Sequence, residues 1–430
     1  MKTDQIQKVH KDWYKLDLSA IVYPTLQRRD FSSVYRLSVL LKEDIDPEIL
    51  QRAVNLTMPR FPTYKAAIRK GVFWRYLEPN DRPGPFVQED VKNPCQPMHF
   101  KGNNRYLVRI YYYRNRIALE AHHSLGDGTG GMCVLQTLTA TYLRLKGHSE
   151  IENGGFVLDI LGIPDPGELE DAYMKYANAK VCPPRPGEKT YRVRGTKEPF
   201  YTLNIIDGIM SVSEVMQVAK SYHATITEYL NSVLLYALMQ KQESEWHLKL
   251  RPVKIAMPVN LRRFFPSRTL RNFITMIYPG IDPRLGEYTF EEIVTQVHNY
   301  MRYYLNEKLL RGDITTNAET QRNPFIRIVP LFIKDLVVRQ FYTKIQDKNS
   351  SAGLTNMGAL KVPETMKPYI ERFDIYMGQP FSTRTNCAIA SFEDILTINF
   401  ASSIAETDVE RLFFRKLVQD GIHVKIESNR

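Results

Sequence analysis

AHHSLGDGTGG, residues 121–131, sets two adjacent histidines at the end of an apolar strand, an acid four positions after the second, and a glycine-rich turn into a helix. Histidine takes and returns protons near neutral pH. A strand end followed by glycines holds such a group rigidly and lets a substrate approach the backbone. Neighbouring residues of a strand point to opposite faces, so His122 and His123 cannot both aim at one reacting atom; parity alone does not say which one faces a substrate. The competing reading, two satisfied structural histidines under a turn, loses ground because the pair comes with Asp127-Gly128 and Gly130-Gly131. A zinc pair on a strand needs i, i+2 spacing and a third ligand, and neither is present. No GxSxG elbow accompanies Ser124, so a serine-hydrolase reading has no support.

Outward from this stretch, Arg105–Tyr113 and Arg116–Ala121 read as a hairpin turning at Arg114-Asn115, with Tyr111, Tyr112 and Tyr113 as strand packing. After the glycines, Met132–Lys146 has helical spacing and Gly147 closes it. Upstream, Ser32–Leu41 is a buried strand, Asp46-Pro47 opens a helix that Pro59 stops, and Phe61–Tyr76 holds short strand pieces around Gly71. From Gly147 to Pro199 the chain turns rich in Gly, Pro, Glu and Lys, including CPPRPGEK at 182–189, and reads as a linker. Beyond it come a strand at Tyr201–Ile206, a helix from Ile226 behind a Thr225/Glu228 capping box, and a strand at Lys254–Val259. A last helix starts from Asp408 with a Thr407/Glu410 box. Strands and helices mix without a regular βαβ repeat, which predicts an α+β fold in two lobes: 1–175, a linker at 176–200, and 201–430.

Length and composition agree: 430 residues exceed one ordinary core, and 43% hydrophobic with 24% charged residues describe a globular chain. The net charge of +11 suits an anionic partner. The basic residues are spread in short pairs such as Arg28-Arg29 and Arg262-Arg263, without a nucleic-acid motif, so no nucleic acid is expected. Cys95, Cys133, Cys182 and Cys387 stand far apart, against a zinc site or disulfide framework. The N-terminus lacks a signal-peptide core, and no run approaches the roughly 18 apolar residues of a membrane span; a cytoplasmic location is expected. The nearest run, Ile326–Tyr342, carries four charges and a proline; the segment Arg322–Tyr342 reads as a core helix, with a tunnel rim or a membrane contact as alternatives. His10, His223, His247 and His298 sit on polar or amphipathic stretches and are assigned no role.

HHSLGDG, His122 to Gly128, resembles HHxxxDG, the signature of the chloramphenicol-acetyltransferase-like superfamily of acyltransferases and condensation domains. PVNLRR, Pro258 to Arg263, followed by Asn272, is similar to the V-N/D-x-R…N segment of several of its families. LTNMG, Leu354 to Gly358, with Pro363 beyond, is similar to the S/T-N-x-G segment of the alcohol acetyltransferase branch. The plant DFGWG motif is absent; its nearest counterpart, RFDIYMGQPF at 372–381, lacks the tryptophan, which favours a microbial alcohol-acetyltransferase or condensation-like branch.

The resemblance spans essentially the whole chain and implies two similar lobes, each a mixed sheet with helices, and an active-site tunnel between them. It makes His123 the general base, has Asp127 turn away to pair with an arginine, Arg262 in first place, and lets Gly128 permit the close turn. Asn272, Thr355 and Asn356 become candidates for contacts to the thioester or oxyanion. It implies no metal and no permanently bound cofactor, acyl-CoA as co-substrate, and a small or lipidic alcohol or amine as acceptor. An acyl carrier protein thioester acting in trans and a catalytically idle, ligand-binding scaffold are the alternatives.

Overall fold

The computed structural model describes residues 13–27, 31–180, 188–199, 202–245, 247, 249–378 and 383–430. His10, Arg28-Arg29, Cys182 and most of CPPRPGEK therefore lie outside the described residues. The fold is α+β with two principal mixed sheets.

The first sheet runs β13 (Ile370–Met377), β2 (Val34–Leu41), β7 (Arg116–His122), β6 (Val108–Tyr113), β5 (Val87–Glu89). Its neighbours are antiparallel except β5 and β6. All eight residues of β2 are buried, as a strand covered on both faces requires. The hairpin at Arg114-Asn115 forms as expected, with Tyr113 opposite Arg116. One face of this sheet receives the motif helix Gly128–Leu145 and, packed on that helix, Pro47–Thr57. Asp46 caps the latter by accepting from the amides of Glu48 and Ile49.

The second sheet runs β10 (Ile274–Ile277), β9 (Val253–Asn260), β12 (Ala352–Ala359), β14 (Thr385–Phe392), β15 (Ile395–Ser402), β8 (Asn204–Ser211), β16 (Lys425–Ser428), with β11 (Gly280–Ile281) also on β9. β12 lies parallel to both its neighbours. Helices Ile226–Ser244, Phe290–Tyr304 and Asp408–Gln419 cover it over a second apolar core. A small third sheet orders β1 (Tyr14–Lys15), β4 (Arg75–Pro79) and β3 (Ala66–Lys70).

Five expectations need correction. β13 belongs to the 201–430 segment yet pairs with β2, so one strand crosses the expected lobe boundary. The described part of the expected linker is packed, not free: Tyr191 and Val193 are buried in the second core, and the Tyr191 amide donates to the Pro252 carbonyl at 2.8 Å. The motif helix begins at Gly128, not Met132, because Asp127 caps it there. Thr225/Glu228 form both bonds of a capping box, whereas Thr407 makes no side-chain cap. Glu410 is instead buried and accepts from the Thr385 hydroxyl at 3.2 Å. Finally, Arg322–Tyr342 is not one core helix. Pro330 separates Pro324–Ile328 from Leu331–Asn349, and apolar side chains of both helices stand in solvent. No described helix is long and apolar enough to cross a membrane.

Candidate active site

β7 ends on His122, so the last strand amide and the first residue beyond it carry the two histidines. The His122 amide donates to the Leu107 carbonyl at 3.0 Å and the His123 amide to the Ser33 carbonyl at 2.8 Å. His122 turns inward and is fully buried, its ring edge-on to Phe100 with centroids 5.4 Å apart. Its Nδ1 accepts from the Ser124 amide at 3.2 Å, which places the proton on Nε2. Burial, reinforced by His123 and Arg109, pulls its pKa down to about 3. It is a neutral core residue.

His123 lines a cavity of about 2260 Å³ between the two principal sheets. Its ring lies between Tyr23, stacked at 4.8 Å, and Tyr35, tilted at 4.6 Å. Nδ1 is buried, which leaves Nε2 as the nitrogen a cavity ligand can reach. Desolvation lowers its pKa to about 4, against opposing contributions from Asp127, Asn272 and the Gly126 backbone. The imidazole is thus neutral and able to accept a proton at physiological pH.

Asp127 sits at the centre of a buried clamp. One carboxylate oxygen accepts from the amides of Thr129 and Gly130 at 3.1 and 3.2 Å, capping the motif helix. The other accepts from Arg262 Nη1 at 2.8 Å and from the Phe273 amide at 2.9 Å. Arg262 in turn donates to the carbonyls of Thr269 and Arg271 at 2.9 and 2.5 Å. The carboxylate therefore joins strand end, helix start and second-lobe loop, with its acceptor capacity spent on protein donors.

The glycines serve close approach. Gly128 has no left-handed φ; a Cβ there would stand 3.0 Å from Met357 Sδ of β12. At Gly130 a Cβ would overlap the Leu270 carbonyl oxygen.

Asn272 does not reach the cavity. Buried, it donates to the His123 carbonyl at 2.8 Å and to both oxygens of Asp17 at 3.1 and 3.3 Å. It holds the backbone of His123, so its expected substrate contact is corrected. Asp17, fully buried and also accepting from the amides of Ser19 and Ala20, was missed by sequence reasoning. Its partner Asn272 lies 255 residues away, and an isolated Asp near the N-terminus carries no signal of it. Thr355 and Asn356 both line the cavity from β12. The Asn356 carboxamide is engaged by the Thr227 hydroxyl at 2.8 Å and the Gly358 amide at 2.7 Å. The Thr355 side chain makes no hydrogen bond among the described residues. No group of three or more His, Cys, Asp or Glu able to hold a metal occurs among the described residues.

No family model matches the sequence, and no curated protein matches it. Solved structures do match the fold. The starter condensation domain of rhizomide synthetase, solved with C8-CoA, aligns at TM-score 0.60 and 13% identity over 97% of either chain. Polyketide synthase associated protein 5 from Mycobacterium tuberculosis aligns at 0.59 and 13%, over 94% of this chain and 96% of its own. Trichothecene 15-O-acetyltransferase from Fusarium sporotrichioides aligns at 0.58 and 14%, over 95% and 94%. With its two mixed sheets and the cavity between them, the chain shares its fold with these condensation-domain and acetyltransferase structures.

Proposed function

We propose that the protein moves an acyl group from a thioester to an alcohol or amine acceptor, with His123 as general base. The observation that carries this reading is the His123 ring, neutral and clamped between two tyrosines, with one nitrogen buried and the other open to the interlobe cavity. His123 Nε2 takes the O–H or N–H proton as the acceptor oxygen or nitrogen bonds to the thioester carbonyl carbon. The carbonyl electron pair moves onto oxygen. Its return breaks the C–S bond, and the departing sulfur receives the proton from the imidazolium. A positioned base of this kind contributes ~10²–10⁴-fold, and juxtaposing both substrates contributes roughly 7–11 kcal/mol in favourable cases. Thr355 is the candidate donor to the oxyanion, its hydroxyl having no other described partner. Asp127, Arg262 and Asn272 position the base without touching substrate.

The donor we favour is acyl-CoA: the chain carries a net charge of +11, and the rhizomide condensation domain of like fold binds C8-CoA. A carrier-protein thioester supplied in trans is the alternative donor. Free-thiol release, measured with CoA and carrier-protein thioesters across a panel of alcohols and amines, tests the reading. Wild-type protein is expected to release thiol only with both substrates present, and folded His123→Ala to fall ~10²–10⁴-fold. Wild-type rates from a soluble, folded His123→Ala would overturn the base assignment. A wild-type protein that binds thioester without turnover would instead make it a scaffold.

A further inference from the structure

Two helices at the cavity rim turn large apolar side chains to solvent. Along Leu331–Asn349, the residues lining the cavity include Leu331, Lys334, Asp335 and Val338, the i, i+3, i+4, i+7 stripe of one helix face, with Val337 at its edge. The opposite side is apolar and points to solvent: Phe332 is 74% exposed and Leu336 59%. The preceding helix Pro324–Ile328 continues it, with Phe325 77% and Ile328 68% exposed. Beside them the tip between β3 and β4 presents exposed Val72, Phe73 and Trp74. The tip is fastened to the helix: the Leu331 amide donates to the Val72 carbonyl and Lys334 Nζ to the Phe73 carbonyl, both at 2.9 Å. Arg75 and Asp335 form a bidentate ion pair at 2.8 and 2.5 Å just beneath. The surface is therefore built and held, and its inner members Phe73, Trp74 and Val337 line the cavity itself.

We propose that this lip docks on an anionic lipid bilayer and opens the cavity toward it. Contiguous exposed apolar surface of this kind marks an interaction site, and apolar side chains flanked by cations suit the boundary of an anionic bilayer. Residues 319–339 hold Arg322, Arg327, Lys334 and Arg339 against two acids, Glu319, which pairs with Arg322, and Asp335, which Arg75 already pairs. Two copies meeting face to face would bring these cations together, whereas anionic headgroups would neutralise them. No described helix spans a membrane, so the contact is interfacial and reversible. Resting on the acyl-transfer reading, the further consequence is that the acceptor is a long-chain lipid alcohol or amine reaching the cavity from the membrane.

The full chain is floated with liposomes of phosphatidylcholine alone and with 30% phosphatidylglycerol, about that fraction placing the surface in the anionic regime. Binding at least tenfold tighter to the anionic vesicles, weakened in high salt, is expected. Phe325→Asp/Phe332→Asp, two residues outside the cavity lining, should lose at least tenfold in binding, with an unchanged melting temperature. Absence of vesicle binding by folded wild-type protein overturns the proposal. So does concentration-dependent dimerisation that the double variant abolishes, which would assign the face to a second copy. Vesicle binding is read without turnover, so its failure and a failure of acyl transfer are separate results. Where turnover is present, the double variant should retain its rate on a short water-soluble acceptor and lose it on a long-chain acceptor held in vesicles.

Discussion

An imidazole held at about 4 behaves differently from one in water. As the base, His123 would place the acid limb of kcat/KM near pH 4 and leave the profile flat through pH 6.5, where an unperturbed histidine would lose its activity. A limb near 6.5 in thiol release would count against a desolvated ring. The same depression bears on stability. Both folded values, about 3 for His122 and about 4 for His123, lie below the unfolded value of about 6.5, so the unfolded chain binds more protons between them. The stability is fully present above about pH 6.5 and is lost as pH falls toward the folded values, about 3 kcal/mol for each histidine by pH 4. Asp207 and Glu410, raised by burial to about 7, act oppositely: the stability they contribute at low pH is lost as pH rises from about 4 through 7. The histidine contribution is therefore read as a difference, and His122→Gln should show a flatter urea-midpoint profile than wild type between pH 4 and 7. At Asp127, replacement by alanine strands the half-buried Arg262 guanidinium, and a loss of up to ~3–5 kcal/mol with a parallel fall in activity is expected; urea titration beside the thiol assay checks both. The histidine pair, the acid and the glycines were legible because they are close in sequence. That His123 is the histidine facing the cavity was implied by the family resemblance and left open by strand parity. The tie from Asn272 through Asp17 was not, since it joins segments that only the fold brings together.

The motif helix shows how a correct pattern can carry the wrong boundary. Glycine's low helical propensity predicts a turn through Gly131, yet Asp127 capping starts the helix at Gly128 and places three glycines in its first turn. Packing overrides propensity there because the Leu270 carbonyl lies against Gly130. Gly130→Ala would gain up to about 1 kcal/mol in an isolated helix. In this protein a net loss of about 1–3 kcal/mol is expected from overpacking against backbone that cannot rotate away, and urea denaturation of a soluble variant decides the sign. The helices on either side of Pro330 teach the converse. An apolar run broken by charges suggests a helix there, but it does not say which face meets the protein. With Lys334 and Asp335 turned to the rim and Phe332 turned out, the burial pattern inverts the one assumed for a core helix.

The two lobes are knitted more tightly than their order along the chain suggests. β13 bonds to β2 through its backbone, while from its other side Asn399 accepts from the Ile375 amide at 3.0 Å and Thr397 donates to the Phe373 carbonyl at 2.8 Å. Tyr376 adds a bond to buried Asp207 at 2.9 Å. Long-range strand exchange leaves no local signature, which is why a boundary drawn from composition passed through it. Residues 1–187, made alone, would expose the β2 edge and the apolar face that β13 and the second sheet cover. They would also lack Arg262 and Asn272, which hold Asp127 and the His123 carbonyl. The expected behaviour is a poorly packed fragment that binds a hydrophobic dye and melts without a cooperative transition. Mixing it with residues 188–430 should restore a sharp melt and, with it, thiol release, because the base and its supports lie on opposite sides of the cut. A steep two-state transition from 1–187 alone would show that the first sheet does not need its borrowed strand.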